Sequence, residues 1–89
     1  MIEIVSVKPQ DDYKVFLEFT TGELKLVELM PLLHGPIFER IRTDPDYFRT
    51  VRVDEELGTI VWDNGADIDP DVLYGSYLPA FMEPEVTPN

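Results

Sequence analysis

The stretch Tyr13-Lys14-Val15-Phe16-Leu17-Glu18-Phe19-Thr20-Thr21-Gly22-Glu23-Leu24-Lys25-Leu26-Val27-Glu28 decides the fold. Side chains alternate across a strand, so Tyr13, Val15, Leu17 and Phe19 share an apolar face while Lys14 and Glu18 lie opposite. The run breaks at Thr20-Thr21-Gly22-Glu23 and resumes at Leu24, which reads as an antiparallel hairpin with its glycine in the loop. Phe16 interrupts the polar side, so cover is expected there too, with helices as the expected cover.

Upstream, residues 2–7 are rich in β-branched side chains and predict a strand that stops at Pro9. Downstream, residues 29–35 predict a helical turn ended by Gly35, and Pro36 opens a second helix carrying Ile37, Phe38 and Ile41 on one stripe. Asp44-Pro45 starts a further turn, with Tyr47 and Phe48 anchoring it to the core. Residues 50–53 and 59–62 read as a second hairpin, and Pro70 opens a last short helix with Val72, Leu73 and Tyr74 that extends toward Tyr77. Pro79, Pro84 and Pro88 prevent its continuation. The expected architecture is a single α+β domain over 1–78: an antiparallel sheet from a three-strand meander plus a hairpin, with short helices packed on one face. Residues 79–89 are expected to form a mobile, acidic, proline-rich tail.

Eighty-nine residues, 44% hydrophobic and 28% charged, fit one globular core rather than a disordered chain. The net charge of −11 repels phosphate backbones and anionic membranes, so direct nucleic-acid or membrane binding is not expected. Cysteine is absent, which excludes disulfides, thiolate catalysis and sulfur-ligated metal clusters. No signal-peptide pattern opens the chain and no apolar run approaches the ~20 residues of a membrane span, so a cytoplasmic location is the default.

The densest chemistry lies in Trp62-Asp63-Asn64-Gly65-Ala66-Asp67-Ile68-Asp69-Pro70-Asp71-Val72-Leu73-Tyr74. Asp67, Asp69 and Asp71 alternate as in the opening of a calcium loop, and Asp63 could add a ligand. The glycine that such a loop needs at its sixth position is Val72, however, and the glutamate at its twelfth is Leu78. A strand exit explains more: Asn64-Gly65 turns the chain, Asp69 caps a helix, Pro70 takes its first position and Asp71 complements its dipole. Hydrolysis assisted by a metal at Asp63, Asp67 and Asp69 is the last-ranked reading.

His34 is the only imidazole, and the expected role for a histidine at a helix end is a favourable dipole interaction. The hydroxyl residues show no nucleophile motif, and the dispersed glycines form neither a P-loop nor a dinucleotide fingerprint. No catalytic residue, cofactor site or metal site is therefore expected. All four arginines, Arg40, Arg42, Arg49 and Arg52, fall in one window and could contact an anion or a partner. Their acidic neighbours Glu39, Asp44, Asp46, Asp54, Glu55 and Glu56 make local ion pairing the simpler expectation. Among the aromatic residues, Trp62 is expected to pack inward, with Tyr77 or Phe81 the more exposed.

The pattern Val15-x-Leu17-x-Phe19-x-x-Gly22-Glu23, the Pro31-Leu32-Leu33 turn, Phe38, Tyr47-Phe48 and above all W-x-N-G-x-D-I-D-P-D-x-L-Y from Trp62 to Tyr74 resemble the small bacterial family DUF2442 over about residues 2–77. The resemblance implies an α+β domain with an antiparallel sheet and no established activity. Some members carry a helix-turn-helix domain after this one, and others are encoded beside suspected toxins. With Asn89 as the last residue, that DNA-binding addition is not expected here. The functional surface expected from the signature comprises Trp62, Asn64, Asp67, Asp69, Asp71 and Tyr74. The expected function is non-enzymatic binding of a protein partner, in the manner of an antitoxin holding a small basic protein. The alternative is a homodimeric structural or sensory domain built through sheet edges or exposed aromatic residues.

Overall fold

The computed structural model describes residues 1–75, so the expected tail 79–89, with Tyr77 and Phe81, lies outside the described residues. Strands β1 (Ile4–Pro9), β2 (Lys14–Phe19) and β3 (Leu24–Glu28) form an antiparallel meander in that order. The alternation of β2 sets its two faces: Val15, Leu17 and Phe19 are buried beside Ile4 and Val27. Gly22, at φ 91°, closes the β2–β3 turn through its N–H to Phe19 O at 2.8 Å.

β1 lies two residues later than expected and includes Pro9. Gln10 donates its N–H to Lys14 O at 2.7 Å, so by ladder alternation the missing N–H of Pro9 faces away from β2 and no bond is lost. A bulge between Ile4 and Ser6 places Val5 as an extra residue and turns it to solvent. The β1–β2 connection holds Asp12 at φ 61° and Tyr13 at φ 62°. Aspartate adopts this left-handed region readily and tyrosine does not; the Tyr13 ring is held against Phe48 at 4.8 Å between centroids.

The expectation that Phe16 is covered is overturned: it is 43% exposed, while Ile41, Phe48 and Leu73 of the helices join the core cluster with Val15 and Leu17 on the opposite face. The helices all gather on that side. A 3₁₀ turn at Pro36–Phe38 runs into α1 (Glu39–Thr43), and α2 (Pro45–Phe48) follows at once. Because that entry is 3₁₀, Ile37 leaves the predicted stripe and is exposed, while Ile41 remains buried. Asp44 caps α2 by accepting from Asp46 and Tyr47 N–H at 3.1 and 3.3 Å.

The second hairpin is shorter than expected: β4 (Arg52–Asp54) and β5 (Thr59–Val61). Thr50 and Val51 instead close α2, giving their N–H groups to Tyr47 O and Phe48 O at 3.0 and 3.2 Å. The two sheets meet where Ile4 N–H donates to Gly58 O at 2.8 Å. Gly58 has φ 68°, and a Cβ there would stand 2.6 Å from Glu3 Cδ. We expect Gly58→Ala to cost about 1–2 kcal/mol from the left-handed backbone alone, read by urea unfolding. An unchanged midpoint would show that this turn relaxes freely. The chain then reaches α3 (Pro70–Tyr74), whose Leu73 completes the core.

Candidate functional site

The segment from Trp62 to Tyr74 is a clasp that ties the helices to both sheets. Trp62 leaves β5 with its N–H on Ala66 O at 2.9 Å, and Gly65, at φ 93°, gives its N–H to Trp62 O at 3.1 Å. This two-bond turn is what Asn64-Gly65 supplies. The indole is 1% exposed, and its Nε1–H donates to Phe48 O at 3.0 Å at the end of α2. Phe38 meets it edge-on at 6.2 Å between ring centroids. Trp62 therefore packs inward as expected and is out of reach of any partner; its place in a functional surface is corrected, because a buried indole N–H needs an internal acceptor.

Asn64 bridges two elements: its Nδ2 donates to Ile37 O at 3.0 Å and its Oδ1 accepts from Ala66 N–H at 3.1 Å. Val61 and Asp67 form an isolated antiparallel bridge, and the Thr59 hydroxyl, the only buried polar side chain among the described residues, donates to Ile68 O. Asp69 caps α3 by accepting from Asp71 N–H at 2.8 Å, with Pro70 first in the helix, as the capping pattern predicts. Asp67 and Asp71 point to solvent. Among the described residues no group of three His, Asp or Glu side chains is arranged to hold a metal ion. His34 is exposed and lies beyond the Met30–Leu32 turn rather than at the end of a regular helix.

Tyr74 fastens the far end. Its ring meets Phe19 edge-on at 5.1 Å, and its hydroxyl donates to Glu23 Oε1 at 2.5 Å, across 51 residues of sequence. That hydroxyl is the largest cause holding the Glu23 carboxyl below its ordinary range, helped by the Thr21 hydroxyl at 2.9 Å and Lys25 Nζ at 3.4 Å, and opposed by burial. Nothing in the neighbourhood of Glu23 in the sequence signals this partner. A lowered carboxyl stabilises the fold above the unfolded value of about 4.3, and that contribution is lost as pH falls through the lower folded value. Tyr74→Phe should therefore melt below the parent at pH 7, with the gap narrowing in acid. A gap independent of pH would assign the tyrosine a packing role alone.

The arginines do not pair with the acidic residues next to them, which corrects the local expectation. Arg52 Nη2 meets Asp63 Oδ1 at 3.0 Å across the hairpin, and Arg49 reaches Asp11 at 3.9 Å and Gln10 O at 3.4 Å. Arg42 Nη1 donates to Leu33 O at 2.6 Å, and Arg40 stacks 4.0 Å above the Tyr47 ring. Each guanidinium thus has a partner within the chain. The neighbouring Asp44 and Asp54 are occupied instead as caps, Asp54 accepting from Glu56 and Leu57 N–H at 2.9 and 3.1 Å. Glu39, Asp46, Glu55, Glu56, Asp67 and Asp71 make no ion pair among the described residues.

No helix among the described residues is long and apolar enough to cross a membrane. The chain is similar in fold to the Nitrosomonas europaea protein NE0471, whose crystal structure is described as that of a candidate DNA-binding protein. The match has a TM-score of 0.74 at 24% identity, and covers 86% of this chain and 49% of that one, so this chain spans about half of that protein's length. No curated protein matches the chain. The family model for proteins of unknown function DUF2442 matches residues 4–78, and the chain belongs to that family.

Proposed function

We propose that this domain is a cytoplasmic, non-enzymatic module that binds a protein partner of basic character. The observation that supports it is the carboxylate surface left over once the arginines have found partners within the chain. Ten of the eighteen Asp and Glu residues fall between Glu39 and Asp71, against four arginines, and those arginines engage backbone carbonyls, a ring, Asp11 and Asp63. Six exposed carboxylates then remain to attract a complementary cationic surface. An antitoxin-like hold on a small basic protein is a relationship of that chemistry. NE0471 is described as a candidate DNA-binding protein, but the net charge of −11 on this chain opposes phosphate contact by this domain.

The test is retention of proteins from native extract on the immobilised chain at ~0.1 M and ~1 M salt, where the screening length falls from ~10 to ~3 Å. A stoichiometric basic protein held only at the lower salt is expected. Retention of nothing, or of nucleic acid instead, would overturn the reading.

A further inference from the structure

We propose that β3 is a dimerisation edge, pairing antiparallel with β3 of a second copy of this chain about a two-fold axis at Leu26. Phe19 N–H donates to Glu23 O and Leu29 N–H to Tyr13 O, which fixes the ladder phase. By alternation Lys25 and Val27 turn their backbone groups to β2, and Leu24, Leu26 and Glu28 turn theirs away. Among the described residues no strand pairs with that edge, whereas β1 on the opposite side is met by the second hairpin at Gly58. The edge has no proline and no bulge, Lys25 and Glu28 are its charged residues, and it is flanked by Leu24, 70% exposed, and by Phe16.

The occupant follows from register and charge. An axis at Leu26 sets Leu26 against the partner's Leu26 and Leu24 against the partner's Glu28, so every outward backbone group is matched. Phe16 lies directly opposite Leu26, which makes the apolar row continuous through the seam. A chain of net charge −11 repels its own copy over most of its surface. The outer face of the meander is the exception, carrying Lys8 and Lys14 with Glu18 and Glu28 and therefore no net charge. A neutral face offers a basic partner no attraction, and it is where a second copy meets the least repulsion. The edge is independent of the carboxylate surface proposed above.

Sedimentation of the full chain from micromolar to millimolar concentration should show the mass rising from 10.3 kDa toward twice that value. The amides of Leu24, Leu26 and Glu28 should gain exchange protection over the same range. Leu26→Pro removes an N–H that faces away from β2, so it should keep the folded spectrum and stay monomeric. Leu24→Glu, set against the partner's Glu28, should weaken association several-fold, while Leu24→Lys should not, and this pair reads the register even if the proline variant fails to fold. A monomeric mass throughout would overturn the proposal, as would protection independent of concentration, which would assign the edge to the chain's own residues. A dimer indifferent to Leu24→Glu would place the interface elsewhere.

Discussion

Trp62→Ala is expected to lower the unfolding free energy by about 3–5 kcal/mol, a large share of the ~5–15 kcal/mol that holds a small domain together. The side chain is 1% exposed between Phe38 and Phe48, and its removal leaves a cavity at the junction of β5, the Pro36–Phe38 turn and α2. It also leaves Phe48 O without the Nε1–H bond it accepts at 3.0 Å. Trp62→Phe separates these contributions: much of the packing is kept, and the orphaned carbonyl accounts for about 1–3 kcal/mol of the remaining loss. Urea unfolding followed by far-UV circular dichroism reads both variants. A loss below 1 kcal/mol for the alanine variant would mean that the clasp does not organise this core.

Phe19→Ala should cost a similar ~3–5 kcal/mol, through the other half of the molecule. Phe19 is buried on β2 and meets Tyr74 of α3 edge-on, so it joins the meander to the end of the clasp. A double-mutant cycle with Tyr74→Ala should return a coupling of about 0.5–1.5 kcal/mol, the ring pair's own contribution beyond burial. Strict additivity would show α3 and β2 to be independent. The cycle and the acid dependence of Tyr74→Phe address different parts of one side chain, its ring and its hydroxyl.

The meander was legible because Val15, Leu17 and Phe19 alternate without interruption and Gly22 marks the turn. The start of α3 was legible for an equally local reason: Asp69-Pro70-Asp71 carries a cap, a first residue and a dipole complement within three positions. Features that depend on a distant partner were not. The bulge at Val5 exists only relative to β2, and the left-handed Asp12-Tyr13 pair has no glycine to announce it. Asn64 finds Ile37 O, Trp62 finds Phe48 O and Tyr74 finds Glu23, over separations that no local spacing encodes. The partners of the arginines are hidden from the sequence for the same reason. Proximity in sequence favoured Glu39, Asp46 and Glu55, while the fold delivered Asp11, Asp63, a carbonyl and a ring. Phe16 breaks the polar alternation of its strand, which predicts cover on that side; its exposure instead makes it part of the neutral, apolar face.

These reassignments change what the signature means. Trp62, Asn64, Asp69 and Tyr74 carry internal bonds, so their roles lie in holding the clasp closed. The arginines are engaged by groups of the chain itself, and on the proposed reading the exposed carboxylates are the charge that a basic partner would meet.

The most direct measurement of that claim is partner retention by a variant carrying Glu55→Gln, Glu56→Gln, Asp67→Asn and Asp71→Asn, compared with the parent at low salt. None of these side chains forms an ion pair among the described residues, so the melting temperature should change little. Partner retention is predicted to fall at least tenfold with the fold intact. Undiminished retention by the folded variant would contradict the account, placing recognition on another surface.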